Sequence, residues 1–242
     1  MKSVKIAMWS GPRNLSTALM RSFENRDDTF VTDEPFYAHY LNNVDDKHPM
    51  KDEIIKNNNT NWNQISRFLT GPIPSKKSVW YQKHMAHHNI LNLDISWIND
   101  VNNCFLIRNP KEVILSYSRK FKLNSINQLG FTQQFNLYEV VSSNNINKIL
   151  IIDAEDLVTN PKKILSEICI NLNISFSDKM LSWPLGGRES DGEWAKYWYK
   201  NVVNTSSFYK YKKNNQKLPK EYMAIYNKSM KYYEYLYDRR IN

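Results

Sequence analysis

Five short apolar runs, at residues 4–9, 29–33, 78–82, 103–107 and 148–152, recur along the chain, and the stretches between them carry apolar residues at three- and four-residue spacing. The runs predict buried strands and the intervening stretches predict helices. Alternation of this kind predicts an α/β fold: a mostly parallel five-stranded sheet flanked by helices in three layers, with right-handed crossovers. A last stripe of Tyr222, Tyr226, Met230, Tyr233 and Tyr237 predicts a docking helix near the C-terminus.

Ligands of parallel sheets gather beyond the carboxyl ends of the strands, which directs attention to the residues after each run. The first run leads into SGPRNLST, residues 10–17, and then into the helical pattern Ala18, Leu19, Ser22, Phe23. Such a strand-to-helix turn holds anions, because backbone N–H groups converge at the positive end of the helix dipole. Ser16 and Thr17 are expected to cap the helix and to donate hydroxyls to the anion. A Walker loop carries a lysine after a second glycine. Leu15 stands there instead, and the only cation of the turn is Arg13, which argues against an ordinary ATP or GTP site.

The fourth run is followed by Arg108, and Asn109 with Pro110 then opens a predicted helix in which Ser116 lies eight residues beyond Arg108. Two turns of helix bring both donors to one phosphate. The second run delivers Asp33 and Glu34, and Pro35 is expected to hold Glu34 extended. The third delivers Lys83, His84, His87 and His88. Histidines sharing a helical face can bind metal, but no cysteine lies near them, and no metal is assigned.

These features together resemble the sulfotransferases that use 3'-phosphoadenosine 5'-phosphosulfate (PAPS). In that family a strand-loop-helix near the N-terminus holds the 5'-phosphosulfate, and a later Arg, with a Ser eight residues on, holds the 3'-phosphate; Arg108 and Ser116 keep that spacing. The stretch 149–165, ILIIDAEDLVTNPKKIL, is similar to the family's strand ending in EDL before a helix opened by Asn-Pro. GGRESDGEW, residues 186–194, is similar to its late loop, in which an arginine and glycines close over the 3'-phosphate. More narrowly, WSGPRNLSTALMRSFENR, DEPFYAHYL and WYQKHMAHH resemble a bacterial and plant group of sulfotransferase-like proteins.

The resemblance implies sulfuryl transfer from PAPS to a hydroxyl or amine of a small-molecule acceptor, leaving PAP, the desulfated product. It implies cofactor contacts from Ser10, Gly11, Pro12, Arg13, Asn14, Leu15, Ser16, Thr17, Arg108, Ser116, Gly187, Arg188 and Gly192. Arg13 and Lys83 are the expected cations at the sulfuryl group, Glu34 the first choice of base and His84 the second. Leu15 replaces the glycine of better-known members, so a different backbone path is expected there, and Arg13 replaces their lysine, exchanging a point charge for a planar fork. A P-loop small-molecule kinase and a non-catalytic adenine-nucleotide sensor are the alternatives.

Length and composition predict one domain over residues 1–242, with 206–242 a basic loop and docking helix. That segment holds nine Lys/Arg against three Asp/Glu and so accounts for most of the formal +9. Charge confined to one end argues against nucleic acid and suits attraction of a polyanionic cofactor. No apolar run approaches a membrane span and Met1 to Ser3 lead straight into a strand, so a cytoplasmic location is expected. Cys104 and Cys169 fall in apolar patterns and read as reduced core residues.

Overall fold

The computed structural model of the chain describes residues 3–45, 48–89, 93–144, 149–209 and 215–241. Strands β1 (Val4–Ser10), β2 (Thr29–Asp33), β3 (Val79–Met85), β4 (Asn102–Ile107) and β5 (Leu150–Asp153) form one sheet in the order β2-β3-β1-β4-β5. Every pairing is parallel, as the alternating pattern predicts. The first strand is flanked by β3 on one side and β4 on the other, so the chain reverses its direction of travel across the sheet there. A crevice opens at such a switch point, beyond the strand ends.

The helices in chain order are α1 (Ser16–Glu24), α2 (Tyr37–Asn43), α3 (Lys51–Asn57), α4 (Trp62–Thr70), α5 (Pro110–Ser118), α6 (Phe131–Ser143), α7 (Ala154–Thr159), α8 (Pro161–Asn171), α9 (Ala195–Trp198) and α10 (Met223–Tyr237). The two-residue period of the strands sorts their side chains between two cores. Ile6, Met8, Tyr81, Cys104 and Leu106 meet Leu19 and Phe23 of α1 and Leu165 and Ile168 of α8. On the opposite face Ala7, Trp9, Trp80, Phe105 and Ile107 meet Leu69 of α4, Leu137 of α6, and Tyr233 and Leu236 of α10. Each large side chain so buried contributes about 1.5–3 kcal/mol, which fixes the register of the strands and hence of the residues at their tips.

Helix starts follow the capping rules. Asn109 accepts the Lys111 N–H at 3.0 Å with Pro110 in the first turn of α5, and Asn160 with Pro161 opens α8 in the same way. Asp153 accepts the Glu155 N–H at 2.8 Å, which ends β5 and places Glu155, Asp156 and Leu157 in α7; the EDL expected at the strand end is helical. The C-terminal stripe docks through Tyr233, with Leu236 and Ser229 beside it and Tyr226, Met230 and Tyr237 half-buried, while Tyr222 sits in the turn before α10. Residue 148 of the fifth run and residues 210–214 of the basic stretch lie outside the described residues. Cys104 and Cys169 are buried and unbridged, and burial raises both thiols, Cys169 to about 11. Among the described residues no helix is long and apolar enough to cross a membrane.

Candidate active site

Directly beyond β1 the turn adopts left-handed backbone at both Arg13 and Leu15, each with φ 67°. A leucine in this region costs roughly 1–2 kcal/mol, a strain that functional loops retain. Leu15 thus adopts a backbone region that glycine favours. Leu15 is itself the N-cap of α1 and brings no side-chain cap, so the expectation that Ser16 and Thr17 cap the helix is corrected: both lie within its first turn. The uncapped N–H groups there point where an anion is stabilised by the helix dipole.

Pro12, Arg13, Leu15, Ser16 and Thr17 line a cavity of 780 Å³. Ser10, Gly11 and Asn14 lie behind them and not on the cavity wall. Ser10 Oγ lies 3.4 Å from the His84 carbonyl, and Asn14 Nδ2 donates to the Leu106 carbonyl at 3.0 Å. A Cβ on Gly11 would stand 2.4 Å from the Leu129 carbonyl oxygen, so that glycine is required by the backbone passing across it.

Arg108 and Ser116 reach the same cavity from β4 and α5. Arg13 Nε donates to Ser116 Oγ at 2.9 Å, and Arg108 Nη1 donates to the Arg13 carbonyl at 2.7 Å. Two guanidinium groups are thus held together, with Glu112 3.6 Å from Arg108. Burial lowers the Arg13 pKa, and the charges of Arg108 and Arg119 lower it further. Crowded cations of this kind are satisfied by an anion of several charges.

The same cavity is lined by Glu34, Lys83, Tyr37, His88 and Tyr199. Asp33 and Lys83 are register partners on β2 and β3, so their side chains share a face, and Lys83 Nζ donates to Asp33 Oδ1 at 2.9 Å. It also donates to the Tyr199 hydroxyl at 2.8 Å and pairs with Glu34. Although burial alone lowers the ammonium's pKa, Asp33 and Glu34 outweigh it and hold the group well above its ordinary value. Glu34 is pushed up, first by burial and then by Asp33, against the pull of Lys83. Its backbone is not extended, as Pro35 had led one to expect, but left-handed with φ 42°, tied by its N–H to the Lys83 carbonyl at 2.9 Å.

His84, the second choice of base, stands away from the cavity. The third strand runs on to Met85, three residues beyond the apolar run, so its pleat sends Lys83 and His84 to opposite faces. The imidazole stacks on Trp9 at 4.4 Å, is buried beside Phe36 and Trp97, and does not line the cavity. Burial and Lys83 push its pKa down to about 3. His88 takes the place by the carboxylate, with Nε2 4.0 Å from Glu34 Oε2 and its ring stacked between Tyr37 and Tyr40. Burial holds it well below the usual imidazole value, hence neutral.

Gly187, Arg188 and Gly192, expected over a 3'-phosphate, are also absent from the cavity wall. Buried Arg21 of α1 grips Asp191 at 2.5 and 2.6 Å and draws the 186–194 loop onto the helix flank. Arg188 turns to the Pro184 carbonyl and to Glu24, 3.7 Å away. A Cβ on Gly192 would lie 2.1 Å from the Trp194 ring, so its smallness serves indole packing. Sequence reading passed over Tyr37 and Tyr40 as cavity residues, whereas Trp198 and Tyr199 belong to the aromatic cluster at 183–199 from which a few pocket-wall residues are expected. The three-residue spacing of Tyr37 and Tyr40 on α2, shortly after Glu34, was the available signal for the missed pair.

A parallel sheet with a strand-to-helix turn at its switch point defines an α/β protein whose crevice suits an anion. The chain belongs to the sulfotransferase domain family, whose model matches residues 4–239. It is 33% identical over 215 residues to branched-chain-amino-acid aminotransferase-like protein 2 of Arabidopsis thaliana, which covers 88% of this chain and 38% of that protein. With the like-named protein 1 of the same plant it shares 32% over 231 residues, 96% of this chain and 41% of that protein. The chain thus spans about two fifths of the length of these curated relatives. In fold it is similar to the sulfotransferase domain of the Synechococcus PCC 7002 olefin synthase, with TM-score 0.57 at 15% identity over 94% of this chain and 95% of that one. A sulfotransferase from Alicyclobacillus acidocaldarius gives TM-score 0.53 at 10% identity over 100% and 98%.

Proposed function

We propose that this sulfotransferase-family chain moves a sulfuryl group from PAPS to a hydroxyl or amine of a small-molecule acceptor. The observation that carries the reading is that one cavity joins an uncapped helix start, the Arg13–Arg108–Ser116 group and the Glu34–Lys83 pair. In this reading Arg108 and Ser116 take the 3'-phosphate. Arg13, touching Ser116 from the turn, bridges to the 5'-phosphosulfate, which the amides of residues 14–17 also hold. Lys83 faces the sulfuryl oxygens, and Glu34 removes the acceptor's proton as the new O–S or N–S bond forms and the bond to the phosphate oxygen breaks. Positioning and charge do most of the work, as in phosphoryl transfer.

A thermal-shift panel of PAP, PAPS, ATP and GTP tests the donor. PAP should stabilise the protein more than ATP at equal concentration, because ATP lacks the 3'-phosphate. Equal shifts would sink the reading and favour a kinase or a general nucleotide sensor. For the base, an acceptor is first found by screening phenols, sugars and amines for PAP release from PAPS. Glu34→Gln should then lower turnover roughly a hundredfold or more.

A further inference from the structure

An ammonium group has three N–H donors and no more. All three of Lys83 are spent within the protein: on Asp33 Oδ1 at 2.9 Å, on the Tyr199 hydroxyl at 2.8 Å and on Glu34. As it stands, Lys83 has nothing left to offer a ligand, although it lines the cavity. To act on a donor it must let one partner go. Two of the three are fixed. Asp33, its side chain 1% exposed, accepts the Tyr199 hydroxyl at 2.7 Å and the Gly192 N–H at 3.3 Å, and Tyr199 is correspondingly held by Asp33. Glu34 is different: its side chain is 11% exposed, it lies on the cavity wall, and its backbone is in the left-handed region.

We propose that Lys83 is an exchangeable counter-ion, paired with Glu34 until the sulfuryl group of the donor enters, whereupon it turns to that group and releases the carboxylate to act as base. The proposal rests on the PAPS reading given above. The exchange trades one ion pair for another and breaks no covalent bond. Its consequence is an order: the base is masked until the donor is in place. Lys83 is also what pulls the Glu34 pKa down against burial and Asp33, so its departure strengthens the base at the moment of need. Among the described residues Tyr37, Tyr199 and neutral His88 also face Glu34, with His48 and His87 on the same cavity wall, and none of the first three is a cation.

Calorimetric titration of PAPS and PAP into the wild-type chain and Glu34→Gln tests this. Glutamine can still accept from Lys83, but without the carboxylate's charge Lys83 turns more readily to the sulfuryl group. The variant should therefore bind PAPS about tenfold more tightly, a gain of about 1.4 kcal/mol. PAP, which lacks that group, should change less than threefold and so also report that the variant is folded. Equal changes for the two nucleotides, or none for PAPS, would overturn the exchange. A variant that binds PAPS as the wild type does but turns over a hundredfold more slowly would keep Glu34 as base and refute the exchange alone. Tighter PAPS with normal turnover would keep the exchange of the ion pair and refute Glu34 as base. Failure of the wild-type chain to bind either nucleotide would overturn both.

Discussion

Replacing Arg108 by Ala separates a residue built for an anion from one built for the fold. In the structure Arg108 Nη1 donates to the Arg13 carbonyl at 2.7 Å, and its charge depresses the Arg13 pKa. The hydrogen bond contributes about 0.5–1.5 kcal/mol to stability, while relief of the repulsion between two partly buried guanidinium groups returns a similar amount. Stability without ligand should therefore stay within about 1 kcal/mol of wild type. Binding should behave otherwise. A desolvated charge-assisted contact to phosphate is worth about 1.5–3 kcal/mol, and loss of the carbonyl bond that steadies Arg13 adds to it, so PAP affinity should fall by about 2–4 kcal/mol, roughly thirtyfold to a thousandfold. Urea unfolding of the free protein and calorimetric titration of PAP measure the two quantities. A variant that loses more than about 2 kcal/mol of stability yet binds PAP within fivefold of wild type would make Arg108 structural and place the 3'-phosphate elsewhere.

Tyr233→Phe probes the latch between α10 and the end of β5, where the phenol donates to Asp153 Oδ2 at 3.0 Å. Burial pushes the Asp153 carboxyl up to about 6, while the backbone N–H of Glu155 and the Tyr233 hydroxyl pull it down. A raised carboxyl favours the folded state at low pH and gives up that stability as pH rises from about 4 through 6. Near pH 7.5 the carboxylate is charged and the lost bond should cost about 1.5–3 kcal/mol; near pH 5 the group is largely protonated and the cost should fall to about 1 kcal/mol. Equal costs at both pH values by urea unfolding would refute the assignment. Gly11→Ala would drive a methyl to 2.4 Å from the Leu129 carbonyl, and should destabilise the chain by about 1–3 kcal/mol while weakening PAP binding; unchanged PAP affinity would uncouple that contact from the anion turn.

The sheet was legible because a short continuous apolar run between helical patterns must be buried on both faces, and each of the five runs became a strand within three residues of its expected ends. The helix openings at Asn109-Pro110 and Asn160-Pro161 were legible for the same local reason: capping chemistry lies within a few residues of sequence. Glu34, Lys83, Arg13, Arg108 and Ser116 reach one cavity because strand ends set where they stand. The departures have two causes. A strand end placed three residues early left His84 outside the pleat, where its direction was undetermined, and the strand as it stands sends it into the core against Trp9. The late loop went astray through Arg21 and Asp191, which are 170 residues apart in sequence and whose pairing no local pattern announces.

The same contrast bears on how the site works. The contacts that sequence could not foretell, Tyr199 to Asp33, Gly192 to Asp33 and Asp191 to Arg21, all connect the 186–199 region to α1 and β2. They fix Asp33, and through Asp33 they fix Lys83. A buried ammonium anchored at two of its three donors can reorient only about the third, toward whichever anion the cavity offers. The long-range contacts thus convert a cation that the strand pattern merely places into one with a single free choice of partner, which under the exchange proposed above lies between the carboxylate of Glu34 and the sulfuryl donor.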